Sequence, residues 1–190
     1  MGMARGEALR AIAQHRGESV VISTMQVVQP WHALSPSPLN MTCIGFMGGA
    51  STLGLGIALA RPDRRVAVLD GDGSLLMQLG SIATISGAAP ANFHHFLFQN
   101  GVYETSGSQP IAASERIDFA QMALGAGYRA AYTFDDAGRF REELPGILDE
   151  DGPVLIVLKI DLVDEQVEWD AMRVDARDES RTVRRALLGA

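Results

Sequence analysis

Two short stretches hold residue types that suit a hard cation and a phosphate. One is Gly71-Asp72-Gly73-Ser74; the other opens with Gln99-Asn100-Gly101-Val102-Tyr103-Glu104 and closes at Pro110. Mg²⁺ takes about six oxygen ligands in near-octahedral geometry and commonly completes its shell with phosphate oxygens. Asp72 can offer a carboxylate oxygen, Asn100 a side-chain amide oxygen and Val102 a backbone carbonyl. Gly71 and Gly73 let the backbone approach a phosphate closely, and the amides of Gly73 and Ser74 open a predicted helix whose amino end favours anions.

Such residues act only if strands aim them. Residues 65–70 and 93–98 are short apolar runs that read as buried parallel strands, so both motifs sit at carboxyl ends of strands, where ligands of an open α/β sheet bind. Asp72 is therefore expected to be exposed at a strand end.

Apolar spacing predicts helices over 4–15, 44–60, 74–86, 117–125 and 136–148, and further strands over 19–22, 128–134 and 153–160. Residues 27–40, with Pro30, Pro36 and Pro38, read as a loop or broken helix. Trp31 and His32 stand there, most simply as packing residues, with substrate or partner contact as the functional reading. The βαβα order gives an α/β fold: a doubly wound, mostly parallel sheet of about six strands with helices on both faces. Residues 1–163 form the domain and 164–190 a charged extension, either a surface tail or an arm laid on a partner. Period two puts His94 and His95 on opposite faces of their strand as core or interface histidines.

The 190 residues suffice for one domain with a full core, and 47% hydrophobic with 21% charged content is ordinary for a globular protein. A net charge of −7 argues against nucleic acid as a partner. No segment approaches the roughly 18 apolar residues that span a bilayer. The amino end lacks a signal-peptide pattern. With Cys43 as its one cysteine the chain has no internal disulfide and is expected in the cytoplasm.

Gly-Asp-Gly followed 28 positions later by a strand-ending Asn resembles the signature of thiamine diphosphate (ThDP) enzymes. The string from Asn100 to Gln109 is most similar to phosphonopyruvate and sulfopyruvate decarboxylases; Gln99 departs from the Asp those relatives often carry. The resemblance implies ThDP and Mg²⁺ as cofactors, with Asp72, Asn100 and the Val102 carbonyl on the metal. It implies Ser23, Thr24, Gly71, Gly73 and Ser74 around the diphosphate and Tyr103 lining the cofactor. Without it, Ser23 and Thr24 after a strand read as a helix cap. By the same likeness, Gly45-Phe46-Met47-Gly48 supports the bent cofactor, Gly45 through its carbonyl and Met47 as a wedge between the rings. A core methionine is the plainer meaning of Met47.

The resembling domain is the diphosphate-binding half of a ThDP site. The glutamate that activates the cofactor comes from a pyrimidine-binding domain, so Glu104 is not that residue and is structural or substrate-facing. No catalytic residue is assigned to this chain. The expectation is an enzyme subunit, a lyase decarboxylating a small 2-oxo acid with a separate pyrimidine-domain chain, on a homodimeric diphosphate-domain core within a hetero-oligomer. An acetolactate synthase-type carboligase subunit and a non-catalytic binding module of the same fold are the alternatives. A Mg²⁺-dependent phosphate enzyme of another α/β family would need more acidic residues at strand ends than Asp72.

Overall fold

Apolar side chains alternate faces along the central strands, and that alternation builds two cores. A computed structural model describes residues 2–162 and 175–189 of the chain. Its main strands are β1 (Val20–Thr24), β2 (Asn40–Cys43), β3 (Val66–Gly71), β4 (Phe93–Gln99), β7 (Ala130–Phe134) and β8 (Val154–Lys159). A small hairpin, β5 (Val102–Tyr103) with β6 (Gln109–Pro110), stands apart. The six strands form one parallel sheet in the order β2-β1-β3-β4-β8-β7.

Val21, Leu69, Phe96 and Ile156 face a core closed by α1 (Arg5–Gln14), α2 (Val28–Leu34) and α7 (Ala137–Leu148). Ile22, Val68, Phe93 and Leu155 face a second core. It lies under α3 (Gly49–Ala60), α5 (Ser81–Ala88), α6 (Phe119–Ala126) and α8 (Ala176–Leu188). Gly54 lets α3 lie directly on the sheet: a Cβ there would fall 2.5 Å from a Val68 methyl. The doubly wound α/β arrangement is the expected one.

Three local expectations change. The predicted loop over 27–40 contains α2, and Trp31 on it is fully buried, donating its indole N–H to Asn40 Oδ1 at 3.2 Å. Packing, not substrate contact, is its role. The end of that predicted loop, Asn40, and the three residues before the next predicted helix form the edge strand β2. The helix predicted over 74–86 is broken into α4 (Asp72–Met77) and α5. Its break accommodates the turn before α3, where a Cβ on Gly48 would stand 2.3 Å from Gln78 Cγ.

The proposed boundary at 163/164 lies outside the described residues. Beyond it, α8 lies along β2: Val183 is buried, and Glu179 accepts from the Thr42 N–H at 2.7 Å and from its hydroxyl at 2.9 Å. A carboxylate thus takes an amide that an open strand edge would otherwise present to another chain. His32 Nε2 lies 3.2 Å from the same Thr42 hydroxyl.

Both β4 histidines are buried on opposite faces. His94 is held at about 4, chiefly by burial, with the Arg65 charge adding to it. The unfolded chain takes up this proton near the ordinary 6.5 and the folded chain only near 4. Stability from this group is therefore whole above about pH 6.5 and falls as pH drops from there toward 4, by up to about 3 kcal/mol. Denaturant unfolding at pH 7.5 and pH 4.5 checks this: His94→Gln should lose clearly less stability on acidification than the wild type. Parallel losses would contradict it.

Candidate functional site

Strand order decides where a ligand can enter. From β1 the chain moves outward to β2 and then returns past β1 to β3, so the β1 and β3 carboxyl ends splay apart at a topological switch point. A cleft of about 460 Å³, its open mouth included, lies there. Thr24 lines it from β1 and Met25 from the turn that follows, Gly71 to Ser74 from β3 and α4, and Asn100, Val102, Tyr103 and Glu104 from the segment after β4. Met47 reaches it from the turn before α3, and Arg5 from α1.

Asp72 joins the two motifs. Its Oδ2 accepts from the backbone N–H groups of Gly101, at 2.8 Å, and Asn100, at 3.1 Å, while its Oδ1 accepts from the Gly73 N–H at 2.9 Å. Asp72 is buried, not exposed, because β4 brings the Asn100 turn down onto it. Burial pushes its carboxyl above the ordinary carboxylate range, and these amides offset part of that shift. The Gly73 amide, expected to face a phosphate, is engaged by this carboxylate. Gly73 must be glycine for another reason also: a Cβ there would fall 2.7 Å from the Tyr103 ring.

Asn100 is held at both ends of its amide. Oδ1 accepts from the Val102 N–H at 3.0 Å, and Nδ2 donates to Glu104 Oε2 at 2.8 Å. Opposite Val102 across the hairpin stands Pro110, which has no N–H to offer the Val102 carbonyl.

The other expected residues divide. Thr24 lines the cleft but donates its hydroxyl to the Cys43 carbonyl at 2.6 Å. Ser23 is fully buried, its hydroxyl has no protein partner, and it is not among the cleft residues. Ser23 thus stands behind the cleft wall, unlike its neighbour Thr24. Ser74 Oγ accepts from the Gly48 N–H at 2.8 Å, tying the Gly45–Gly48 turn to the Asp72 motif. Gly45, at φ +83°, lies in an open depression next to the cleft with Phe46, Met47, Met77 and Gln78. Phe46 and Met77 there are 57% and 54% exposed.

Two residues, Met25 and Arg5, escape the sequence reading, as do the partners of Glu104, which that reading makes structural or substrate-facing. Met25 takes φ +51° at the β1 end, a left-handed conformation unusual for a side-chain-bearing residue and one that recurs at ligand sites. Arg5 enters the cleft from the far end of the chain. Glu104 sits between Arg5 and Asn100. A glycine at a turn is a signal in sequence; a methionine at positive φ gives none.

A divalent cation fits this arrangement. Asp72 is buried with amide partners, and among the described residues no cationic side chain pairs with it; Arg5 is paired with Glu104. The described residues also hold no cluster of three or more His, Cys, Asp or Glu of the kind that grips a metal alone. One carboxylate, one amide oxygen and one carbonyl suit an ion that draws its remaining ligands from phosphate and water.

Comparison with known proteins covers the segment that carries both motifs. The family model described as thiamine pyrophosphate enzyme, C-terminal TPP binding domain, matches residues 19–158. A phosphonopyruvate decarboxylase of Streptomyces hygroscopicus is 39% identical over 142 residues, 75% of this chain and 35% of that enzyme. A sulfopyruvate decarboxylase subunit beta of Methanothermobacter thermautotrophicus is 36% identical over 155 residues, 81% of this chain and 80% of that subunit. The chain thus spans about a third of the length of the phosphonopyruvate decarboxylases it matches. An X-ray structure of a Mycobacterium smegmatis protein described as thiamin diphosphate-dependent superposes with a TM-score of 0.73. It is 19% identical and covers 85% of this chain and 32% of that one, a likeness of fold.

Proposed function

We propose that this chain, which belongs to the thiamine pyrophosphate enzyme family as a C-terminal TPP binding domain, is the diphosphate- and Mg²⁺-holding part of a 2-oxo acid decarboxylase that works with a separate pyrimidine-binding chain. The observation that carries the reading is the junction at Asp72, where one buried carboxylate draws the Asn100 turn to the β3 end inside the switch-point cleft. The names of the decarboxylase relatives support the reaction, and a subunit beta covered over most of its length supports a partner. The substrate class we favour is a 2-oxo acid with a phosphonate or sulfonate end.

Each residue's part follows from its surroundings. Asp72, the Asn100 amide oxygen and the Val102 carbonyl would hold Mg²⁺, and through it the diphosphate. Gly71 leaves room for a phosphate beside the ion, the nearest atom to a Cβ placed there being Ser74 Cβ at 4.0 Å, whereas the same space at Gly73 is filled by the Tyr103 ring. When bound, ThDP supplies an electron sink for the pair left behind as carbon dioxide departs. Met47, on the wall shared by the cleft and the neighbouring depression, would support the cofactor's bend, with Gly45 beside it. Arg5, the one cation among the described cleft residues, is committed to Glu104, so the charge that receives an anionic substrate end is expected from the partner chain.

The wedge role makes a prediction about size and shape. Met47→Ala should lower turnover at least about tenfold with Mg²⁺ dependence unchanged, whereas Met47→Leu, close in volume, should stay within a few-fold of wild type. Equal turnover by the two variants would make Met47 ordinary packing.

The reading itself is tested by combining the chain with a pyrimidine-domain partner, ThDP and Mg²⁺, and assaying 3-phosphonopyruvate, 3-sulfopyruvate and pyruvate for carbon dioxide. Release from one of the two anionic substrates in preference to pyruvate is expected. No release from any 2-oxo acid would overturn the decarboxylase assignment.

A further inference from the structure

Arg5, Glu104 and Asn100 form a chain that starts on one helix and ends on a residue assigned above to the metal. Arg5 Nη2 donates to both Glu104 oxygens, at 2.7 and 2.6 Å, and the two side chains are 8% and 9% exposed. Glu104 Oε2 also accepts from Asn100 Nδ2 at 2.8 Å. The pairing has a logical consequence for Asn100. An ionised carboxylate only accepts, so the amide must present its nitrogen to Glu104 and its oxygen to the other side. Arg5 donates to both Glu104 oxygens, so the carboxylate acts as an acceptor on that side as well. The Val102 N–H holds the amide from its oxygen end, and Glu104 adds the second contact that keeps the oxygen, and not the NH₂, toward a hard cation.

We propose that Glu104, held by Arg5, is a positioning residue that fixes the Asn100 amide with its oxygen available to the metal. This rests on the reading of Asn100 as a metal ligand. Glu104 itself is given no place on the ion, since its charge is already paired with the buried Arg5 guanidinium.

The backbone supports the same arrangement from outside the cleft. Met3 adds to the end of β8, its N–H donating to the Lys159 carbonyl at 2.9 Å and its carbonyl accepting from Asp161 at 3.1 Å. The Ile160 N–H donates to the Gln99 carbonyl at 2.9 Å. The segment that delivers Arg5 is therefore bonded, through the β8 end, to the residue preceding Asn100. Orienting a ligand through a hydrogen-bonded carboxylate typically changes metal affinity by about 10–100-fold when it is removed.

A purely structural ion pair would hold α1 to the Glu104 turn and leave the metal unaffected, so stability and metal affinity must be read separately. The full chain, ¹⁵N-labelled and with ThDP at fixed excess, is titrated with Mg²⁺ while the Gly73 and Gly101 amides are followed by NMR. Thermal unfolding is recorded without metal. The double substitution Arg5→Met with Glu104→Leu removes both buried charges together, which commonly leaves stability near wild type. It should raise the Mg²⁺ midpoint at least about tenfold. Glu104→Gln, with one acceptor oxygen in place of two, should shift it in the same direction by less. In an Asn100→Ala background, adding the double substitution should shift the midpoint by less than about twofold, because the residue it acts through is gone.

A folded Arg5→Met/Glu104→Leu or Glu104→Gln variant with the wild-type midpoint overturns the positioning role. If Asn100→Ala itself leaves the midpoint unchanged, the assignment of Asn100 to the metal fails instead, and the positioning role falls with it. The same holds if the wild-type amides show no Mg²⁺ response.

Discussion

Asp72→Ala is expected to abolish Mg²⁺-dependent binding of ThDP, a loss of at least about a hundredfold in affinity, or about 2.7 kcal/mol. The carboxylate is the only full negative charge expected among the protein's metal ligands, and an amide and a carbonyl alone hold Mg²⁺ poorly. The substitution also has a structural cost, since Asp72 is buried and accepts from three backbone N–H groups. Leaving buried donors unpaired costs about 1–3 kcal/mol, so the melting temperature should fall as well. Asp72→Asn separates the two effects. It keeps a carbonyl oxygen for part of the amide set but loses the charge, so its stability should lie nearer wild type while ThDP binding remains weak. Calorimetric titration of the complex with and without Mg²⁺ reads the difference. Wild-type affinity in a folded Asp72→Ala chain would remove Asp72 from the metal site.

The second large effect expected is that the chain alone is catalytically inert and the reconstituted complex is at least about a thousandfold faster, equivalent to about 4 kcal/mol of barrier. Two observations motivate this. Beside the cleft, Phe46 and Met77 present apolar side chains at the surface, next to the Gly45–Met47 turn that would support the cofactor. The residues drawn together in the cleft suit the diphosphate end, and Glu104, the acidic residue in it besides Asp70 and Asp72, is neutralised by Arg5. Charge developing in a cleft with one wall is screened by water, whereas a second chain closing over that wall would exclude it and fix the dipoles that act on the reacting carbons. Assays of the purified chain against the mixture, at saturating ThDP and Mg²⁺, decide this. Comparable rates would contradict the half-site account.

The parts of this site legible in sequence are those set by local pattern. The β3 and β4 runs are short and buried on both faces, so the strand ends alone bring Asp72 and Asn100 to one edge of the sheet; that they share a metal is what the resemblance carried by their spacing implies. Edge strand β2 is different. Its Asn-Met-Thr-Cys sequence carries no period, and it becomes a strand because β1 lies on one side and α8, with Glu179 on the Thr42 amide, on the other. A strand end is usually exposed, which is the expectation for Asp72; its burial comes from the Asn100 turn folding over it. Ser23 and Thr24 face opposite sides of β1, and only the latter reaches the cleft. Arg5 could not have been found at all from pattern. It meets Glu104 across 99 positions of sequence, and an arginine in the first turn of an amphipathic helix reads as a solvated charge.

The central claim is that this chain forms the metal- and diphosphate-holding wall of a ThDP site, and its most direct test is to locate the metal. The chain is crystallised with its partner, ThDP and Mn²⁺ in place of Mg²⁺, and the anomalous scattering of manganese is measured. A single peak bonded to the Asp72 carboxylate, the Asn100 amide oxygen and the Val102 carbonyl is expected, with diphosphate oxygens beside Gly71 and Ser74. A manganese peak away from these three residues, with the diphosphate bound elsewhere, would contradict it.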